Sequence, residues 1–155
     1  MAKKEKITAL LNEIRTYCRE HADDAVVAKY QRYFTEGYDA YGLTQEQVIR
    51  QRDVWLEQYK EPLGLDGFLA VGDLLLESEK YEEASFALLF VESFQVDYNK
   101  TTFNHMGKWL ENGVVNWGHT DYLCTKIIPP FWAKELINLN DLKPWKQSAS
   151  KWQRR

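Results

Sequence analysis

The sequence predicts an all-α fold: antiparallel helical pairs stacked side by side as an α-solenoid. Three observations carry this. Apolar residues recur at three- and four-residue intervals along most of the chain. No stretch alternates apolar and polar residues with the period of two that a half-buried strand needs. Helical segments of roughly 10–18 residues come in neighbouring pairs joined by short turns, with apolar faces that recur locally. There is no exact repeat, so the stack is read from the rhythm of its elements. A chain of 155 residues predicts one domain spanning 1–155, long enough to bury a core.

Taken in order, Ile7, Leu10, Leu11, Ile14, Tyr17 and Cys18 mark the core face of a first helix. Asp23 and Asp24 open a second, short one that carries Val26, Val27, Tyr30, Tyr33 and Phe34, with Lys29 and Arg32 on its polar side. Gly37-Tyr38-Asp39-Ala40-Tyr41-Gly42 is a shaped loop, two glycines bracketing two tyrosines. Thr44 and Gln47 form a capping box, and the helix it starts carries Val48, Trp55, Leu56 and Tyr59 until Pro62 and Gly64 stop it. Leu65 to Leu76 is the next helix. Tyr81 to Phe94 is apolar nearly all round in its middle, the mark of a helix buried between neighbours, and so the candidate centre of the core. Thr101 or Thr102 starts a helix through Phe103, Met106, Trp109 and Leu110, ended by Asn112-Gly113. Another helix runs from Asn116 to the stop at Pro129-Pro130. Phe131, Trp132, Leu136 and Ile137 come next in a short helix, residues 141–146 form a further turn, and Ser148 or Ser150 caps a last segment. Trp55, Trp109, Trp132 and Trp145 read most simply as core. Arg155 arrives just as that capped segment begins, without a stop signal, which reads as a cut end.

Bulk properties narrow the function. Six Trp and nine Tyr are too many for a disordered chain. No run of about 18 apolar residues exists, so no membrane span is expected. Met1 to Lys6 lacks the apolar segment of a secretory signal. Cys18 and Cys124 stand far apart, outside any CxxC or Cys/His pattern, and read as free thiols of a reducing compartment. The expected location is the cytoplasm, that of a bacterium. His21, His105 and His119 lack metal-ligand spacing, so no metal and no cofactor are expected. The net charge of −3 speaks against a general nucleic-acid binder, but it is unevenly spread. Residues 1–112 carry 13 Lys/Arg against 20 Asp/Glu, a net −7; residues 113–155 carry 7 against 3, a net +4. A polyanion-facing C-terminal end and a solvated helical surface both fit this asymmetry.

The densest set of chemically capable side chains lies in residues 112–124. Asn116 suits an N-cap, Trp117 falls in the first turn, and Asp121 lies four residues on, so indole and carboxylate share one helix face. Such a pair at the mouth of a helix can offer a π face to an electron-poor group and a negative charge to a developing cation. On spacing alone, the simpler reading is a core aromatic followed by a surface or capping acid.

Asn116-Trp117 followed by Asp121 resembles the hallmark of the AlkD family of DNA alkylation repair enzymes, HEAT-like helical-repeat DNA glycosylases. Lys29-Tyr30-Gln31-Arg32-Tyr33-Phe34 with the Gly/Tyr-rich loop after it, the aromatic, leucine-rich helix at 84–94, and Ser150-Lys151-Trp152-Gln153-Arg154-Arg155 resemble further family blocks, in the family's order. Two departures stand out. Gly118-His119-Thr120 separates Trp117 from Asp121 where the family often has an acidic residue after the Trp. The family also continues past its Trp-x-Arg-Arg motif with helices that this chain lacks.

The resemblance implies a monomeric enzyme acting on alkylated double-stranded DNA, hydrolysing the N-glycosidic bond of N3- and N7-alkylpurines. Asp121 matches the catalytic carboxylate and Trp117 its aromatic partner. Arg154 and Arg155 match the phosphate-gripping arginines, one of which carries that role. Lys126, Lys146 and His119 are the further candidates for contact with DNA. A non-catalytic HEAT-like scaffold binding DNA or protein is the rival reading, since the fold alone implies no chemistry. The two diverge on geometry: catalysis needs Trp117 and Asp121 exposed beside basic residues, whereas a buried and paired Asp121 favours the scaffold.

Overall fold

The structure, a computed structural model, describes residues 1–155. It contains helices and turns and no strand: α1 (Lys3–Glu20), α2 (Asp24–Gln31), α3 (Gln45–Leu76), α4 (Tyr81–Glu92), α5 (Lys100–Lys108), α6 (Trp117–Tyr122), α7 (Pro129–Ala133), α8 (Leu139–Leu142) and α9 (Lys151–Arg154). No helix is long and apolar enough to cross a membrane. Successive elements pack against one another: α1 on α3, α3 on α4, α4 on α6 and the turn after it, and α9 against α6. This is the stacked all-α arrangement expected from the spacing of apolar residues.

The local signals act where predicted. Asp23 Oδ1 accepts from Ala25 N (2.8 Å) to cap α2. Thr44 and Gln47 close a reciprocal capping box on α3. At Gly64 the backbone takes φ 61° and ψ −177°, which splits α3 into arms 45–63 and 65–76. That conformation is open essentially only to glycine, and Pro62 has already removed one helical donor before it. The two arms can therefore wrap different sides of the core.

Three expectations need correcting. α5 is capped by Asn99, two residues before Thr101, because Asn99 Oδ1 accepts from Thr102 N (3.1 Å). Tyr33 and Phe34 lie past the end of α2, in the turn after it. Trp132 is 44 % exposed instead of core. Its helix has five residues, and its single inward position is taken by Phe131, stacked on Tyr98 at 4.4 Å.

α4 is the centre of the core, with Phe86, Ala87, Leu88, Phe90 and Val91 essentially inaccessible. Fully burying one such large apolar side chain contributes about 1.5–3 kcal/mol. The same helix buries two acids that its sequence pattern leaves on the surface. Glu82 is held by three backbone amides, Tyr41 N (2.9 Å), Gly42 N (2.8 Å) and Leu43 N (3.1 Å). Glu83 accepts from Arg15 Nε (3.1 Å) and Tyr41 Oη (2.7 Å). A buried carboxylate is tolerated when its lone pairs are filled in this way. Glycine is required at 42, since a Cβ there would lie 2.1 Å from Asp23 O. The loop 37–43 is thus pinned to the start of α4. Cys18 is buried and Cys124 exposed, both as free thiols.

Both α5 and α6 end in π turns, Trp109–Gly113 and Leu123–Ile127. The bonds Val114 N to Trp109 O and Ile128 N to Leu123 O, each 2.8 Å, reach back five residues. The segment read as most capable of chemistry runs from the end of the first to the start of the second.

Gly64→Ala should lower stability by about 1–3 kcal/mol although its Cβ meets open space, because the cost is conformational. Urea unfolding checks this; a variant as stable as the parent would show that the α3 break does not need glycine.

Candidate functional site

The site is built outward from the start of α6. Asn116 Oδ1 accepts from His119 N (2.9 Å), the cap expected there, and Asn116 O accepts from Thr120 Oγ1 (2.9 Å). Asn116 Nδ2 lies 2.8 Å from His119 Nδ1, and His119 Nε2 lies 2.9 Å from Ser85 Oγ on α4. Ser85 Oγ donates to Tyr81 O (2.8 Å). The network therefore assigns the proton to Nε2, donating to Ser85, with Nδ1 accepting from Asn116. The ring also stacks on Tyr81 at 4.5 Å.

His119 is accordingly 4 % exposed, and burial lowers its pKa from 6.5 to about 4. This corrects the expectation that His119 touches DNA: both ring nitrogens are occupied inside the protein. Thr120 is wholly buried as well. The residues by which this chain departs from the family pattern thus face the core, except Gly118, whose missing side chain leaves room for Asn116 Oδ1 and Phe34.

Trp117 faces outward, 42 % exposed. Its indole N–H donates to Tyr33 O (3.0 Å), and its ring lies nearly parallel to Phe34 at 5.5 Å. Phe34 stacks in turn on Tyr38 at 4.7 Å, with Tyr81 edge-on to both. The turn after α2 and the start of α6 thus meet in one aromatic column. Tyr38 and Tyr41 serve loop packing.

Asp121 is about half exposed and accepts two bonds from Arg155, Nε to Oδ1 (3.0 Å) and Nη2 to Oδ2 (3.3 Å). It is paired but not buried. A cleft of about 350 Å³ opens beside it, walled by Phe34, Trp117 and Trp152 and edged by Glu36, Lys151 and Arg155. Of the two candidate arginines, Arg155 is the one at the cleft. Arg154 turns back onto its own loop, donating to Ser148 O (2.5 Å) and Ala149 O (3.0 Å). Lys126 and Lys146 are exposed on neighbouring turns and line no part of the cleft.

Lys151, Glu36 and Trp152 were not singled out from the sequence as cleft residues. Lys151 and Arg155 stand four apart in a capped segment, a spacing that puts both cations on one face. Glu36 carries no such local signal. No group of three or more His, Cys, Asp or Glu side chains is placed to hold a metal ion.

The buried ring predicts a pH effect. A His whose folded pKa is depressed stabilises the fold fully above its unfolded value of 6.5, and that contribution falls as pH drops toward about 4. Up to about 3 kcal/mol is lost across this window. Protonation puts a second N–H against Asn116 Nδ2, which has nothing to accept it. Urea unfolding of the parent and of His119→Gln over the window should show a steeper fall for the parent; equal slopes would refute the assignment.

Comparison with known proteins completes the site. No curated protein and no solved structure matches the chain. The family described as DNA alkylation repair enzyme matches residues 14–155, a span that includes every residue of the cleft. The match runs over most of the chain, and the chain belongs to the DNA alkylation repair enzyme family.

Proposed function

We propose that the chain is a DNA glycosylase that releases cationic N3- and N7-alkylpurines from duplex DNA by hydrolysing the N-glycosidic bond. The observation that carries this is the pairing of an exposed Trp117 with a half-exposed Asp121 at the edge of an aromatic, basic-edged cleft. Family membership supports a role in DNA repair; the reaction and substrate are those that the resemblance of Trp117 and Asp121 to the AlkD motif implies.

The groups at the cleft set the chemistry. Its ionisable side chains are Glu36, Lys151 and Arg155, with Asp121 beside them. The nearby imidazole, His119, is buried, neutral and bonded at both nitrogens. A neutral base would need a proton donor to leave. An N3- or N7-alkylpurine is already cationic and needs none: when the C1′–N bond breaks, its electron pair neutralises the departing base. Positive charge then develops on the sugar. The Asp121 carboxylate stabilises that charge and orients the water whose oxygen bonds to C1′, the water's proton passing to Asp121 or solvent. The Trp117 face covers the electron-poor sugar and excludes bulk water. Arg155 grips a backbone phosphate, a contact that positions the duplex without reading sequence.

The bidentate Asp121–Arg155 pair is a structural observation that favours the rival, a non-catalytic scaffold binding DNA or protein. A carboxylate that stays paired on DNA would do no chemistry.

The two readings separate in one assay: 3-methyladenine and 7-methylguanine released from methylated duplex DNA by the parent and by Asp121→Asn. The variant should lose about 10²-fold or more of the release, the scale of removing one dominant electrostatic contact, while still binding DNA. Equal release would exclude Asp121 from catalysis. No release from a DNA-binding parent would leave the scaffold.

A further inference from the structure

Two ion pairs lie at the edge of the cleft. Arg155 pairs with Asp121, and Lys151 pairs with Glu36 in the turn after α2, 115 positions away in sequence. Both cations come from one face of the α9 segment, one turn apart, and each is matched to a carboxylate from a different element. We infer that Lys151 and Arg155 form a two-point phosphate clamp that Glu36 and Asp121 hold closed in the free protein, so that DNA binds by exchanging phosphate for carboxylate at both points. This rests on the reading of the cleft as a DNA site.

The energetics favour exchange. All four side chains are about half exposed, at 52 %, 45 %, 52 % and 53 % for Arg155, Asp121, Lys151 and Glu36. Exposed pairs of this kind contribute little and weaken further with salt. A phosphate offers either cation a charge-assisted bond at least as strong, and offers Arg155 a bidentate one. Opening the pairs leaves the helix in place, because neutral bonds dock it separately. Ser150 Oγ donates to Leu110 O (2.9 Å) and Gln153 Nε2 to Gly107 O (2.8 Å).

The exchange has a consequence for the reaction. At Arg155 the incoming phosphate takes over the guanidinium, and the Asp121 carboxylate is released to the sugar only once DNA is seated. At Lys151 the incoming phosphate has to displace Glu36 from the ammonium. Glu36 thus acts as a built-in competitor for DNA, and Lys151 as a phosphate-binding residue.

The test is binding of undamaged fluorescent duplex DNA, measured by anisotropy over a salt series, for the parent, Glu36→Gln, Lys151→Ala and the double variant. Glu36→Gln should tighten binding by about threefold at low salt, the scale of one exposed ion pair. Lys151→Ala should weaken binding and reduce the log–log salt slope by about 1. In the double variant most of the gain from Glu36→Gln should vanish, since its target is gone. If Glu36→Gln leaves affinity unchanged, or gains equally with and without Lys151, the clamp is wrong although the DNA reading stands. If the parent binds no duplex at any salt, both fall.

Discussion

The imidazole of His119 joins the core of this protein to its cleft. One nitrogen is bonded to Ser85 on the central helix and the other to Asn116, whose own side chain caps the helix that presents Trp117 and Asp121. The geometry of the cleft therefore depends on that ring being neutral. Burial supplies the neutrality, and the stacking of Tyr81 closes the remaining face. Tyr81 also braces Phe34 and Tyr38, so the same contacts fix the opposite wall.

A second constraint comes from the buried acids of α4. Glu82 gathers three consecutive amides of the 37–43 loop, and Glu83 ties Arg15 of α1 and Tyr41 of that loop to the same end of the helix. A loop that would otherwise be free is held against the core, and Tyr38 with it. The aromatic column at the cleft thus stands on polar contacts buried on one side and a neutral ring on the other. Charges meant to meet solvent, Glu36, Asp121, Lys151 and Arg155, remain at its edge.

Much of this was legible in the sequence wherever the determinant was local. The apolar spacing marked α1, Asp23, Thr44 and Asn116 marked helix starts, and Gly64 marked the break in α3. The pairing of Trp117 with Asp121 came from a four-residue interval. What was hidden depended on distant partners. Glu82 and Glu83 look like surface acids at a helix start, and only the arrival of the loop and Arg15 buries them. His119 looks like a flanking polar residue until Ser85 is placed against it. The Glu36–Lys151 pair joins residues far apart in the chain, and nothing near either one announces the other. Trp132 misled in the opposite sense, since aromatic character suggested core where a one-turn helix had room for Phe131 alone.

The π turns on either side of the site carry a consequence for sequence length. A π turn is an α-helix holding one residue more than its ladder accommodates. The turn Trp109–Gly113 immediately precedes the extended entry into Asn116, and Leu123–Ile127 comes directly after α6. Each residue of an α-helix rotates the chain by about 100°. Losing a single residue from either turn would regularise the helix and swing the chain beyond it by that angle. After the first turn this would carry the Asn116 cap away from Ser85. In relatives of this chain, gaps should therefore be shunned in these two turns more strictly than residue identity is kept: the number of residues there sets the direction in which the site looks.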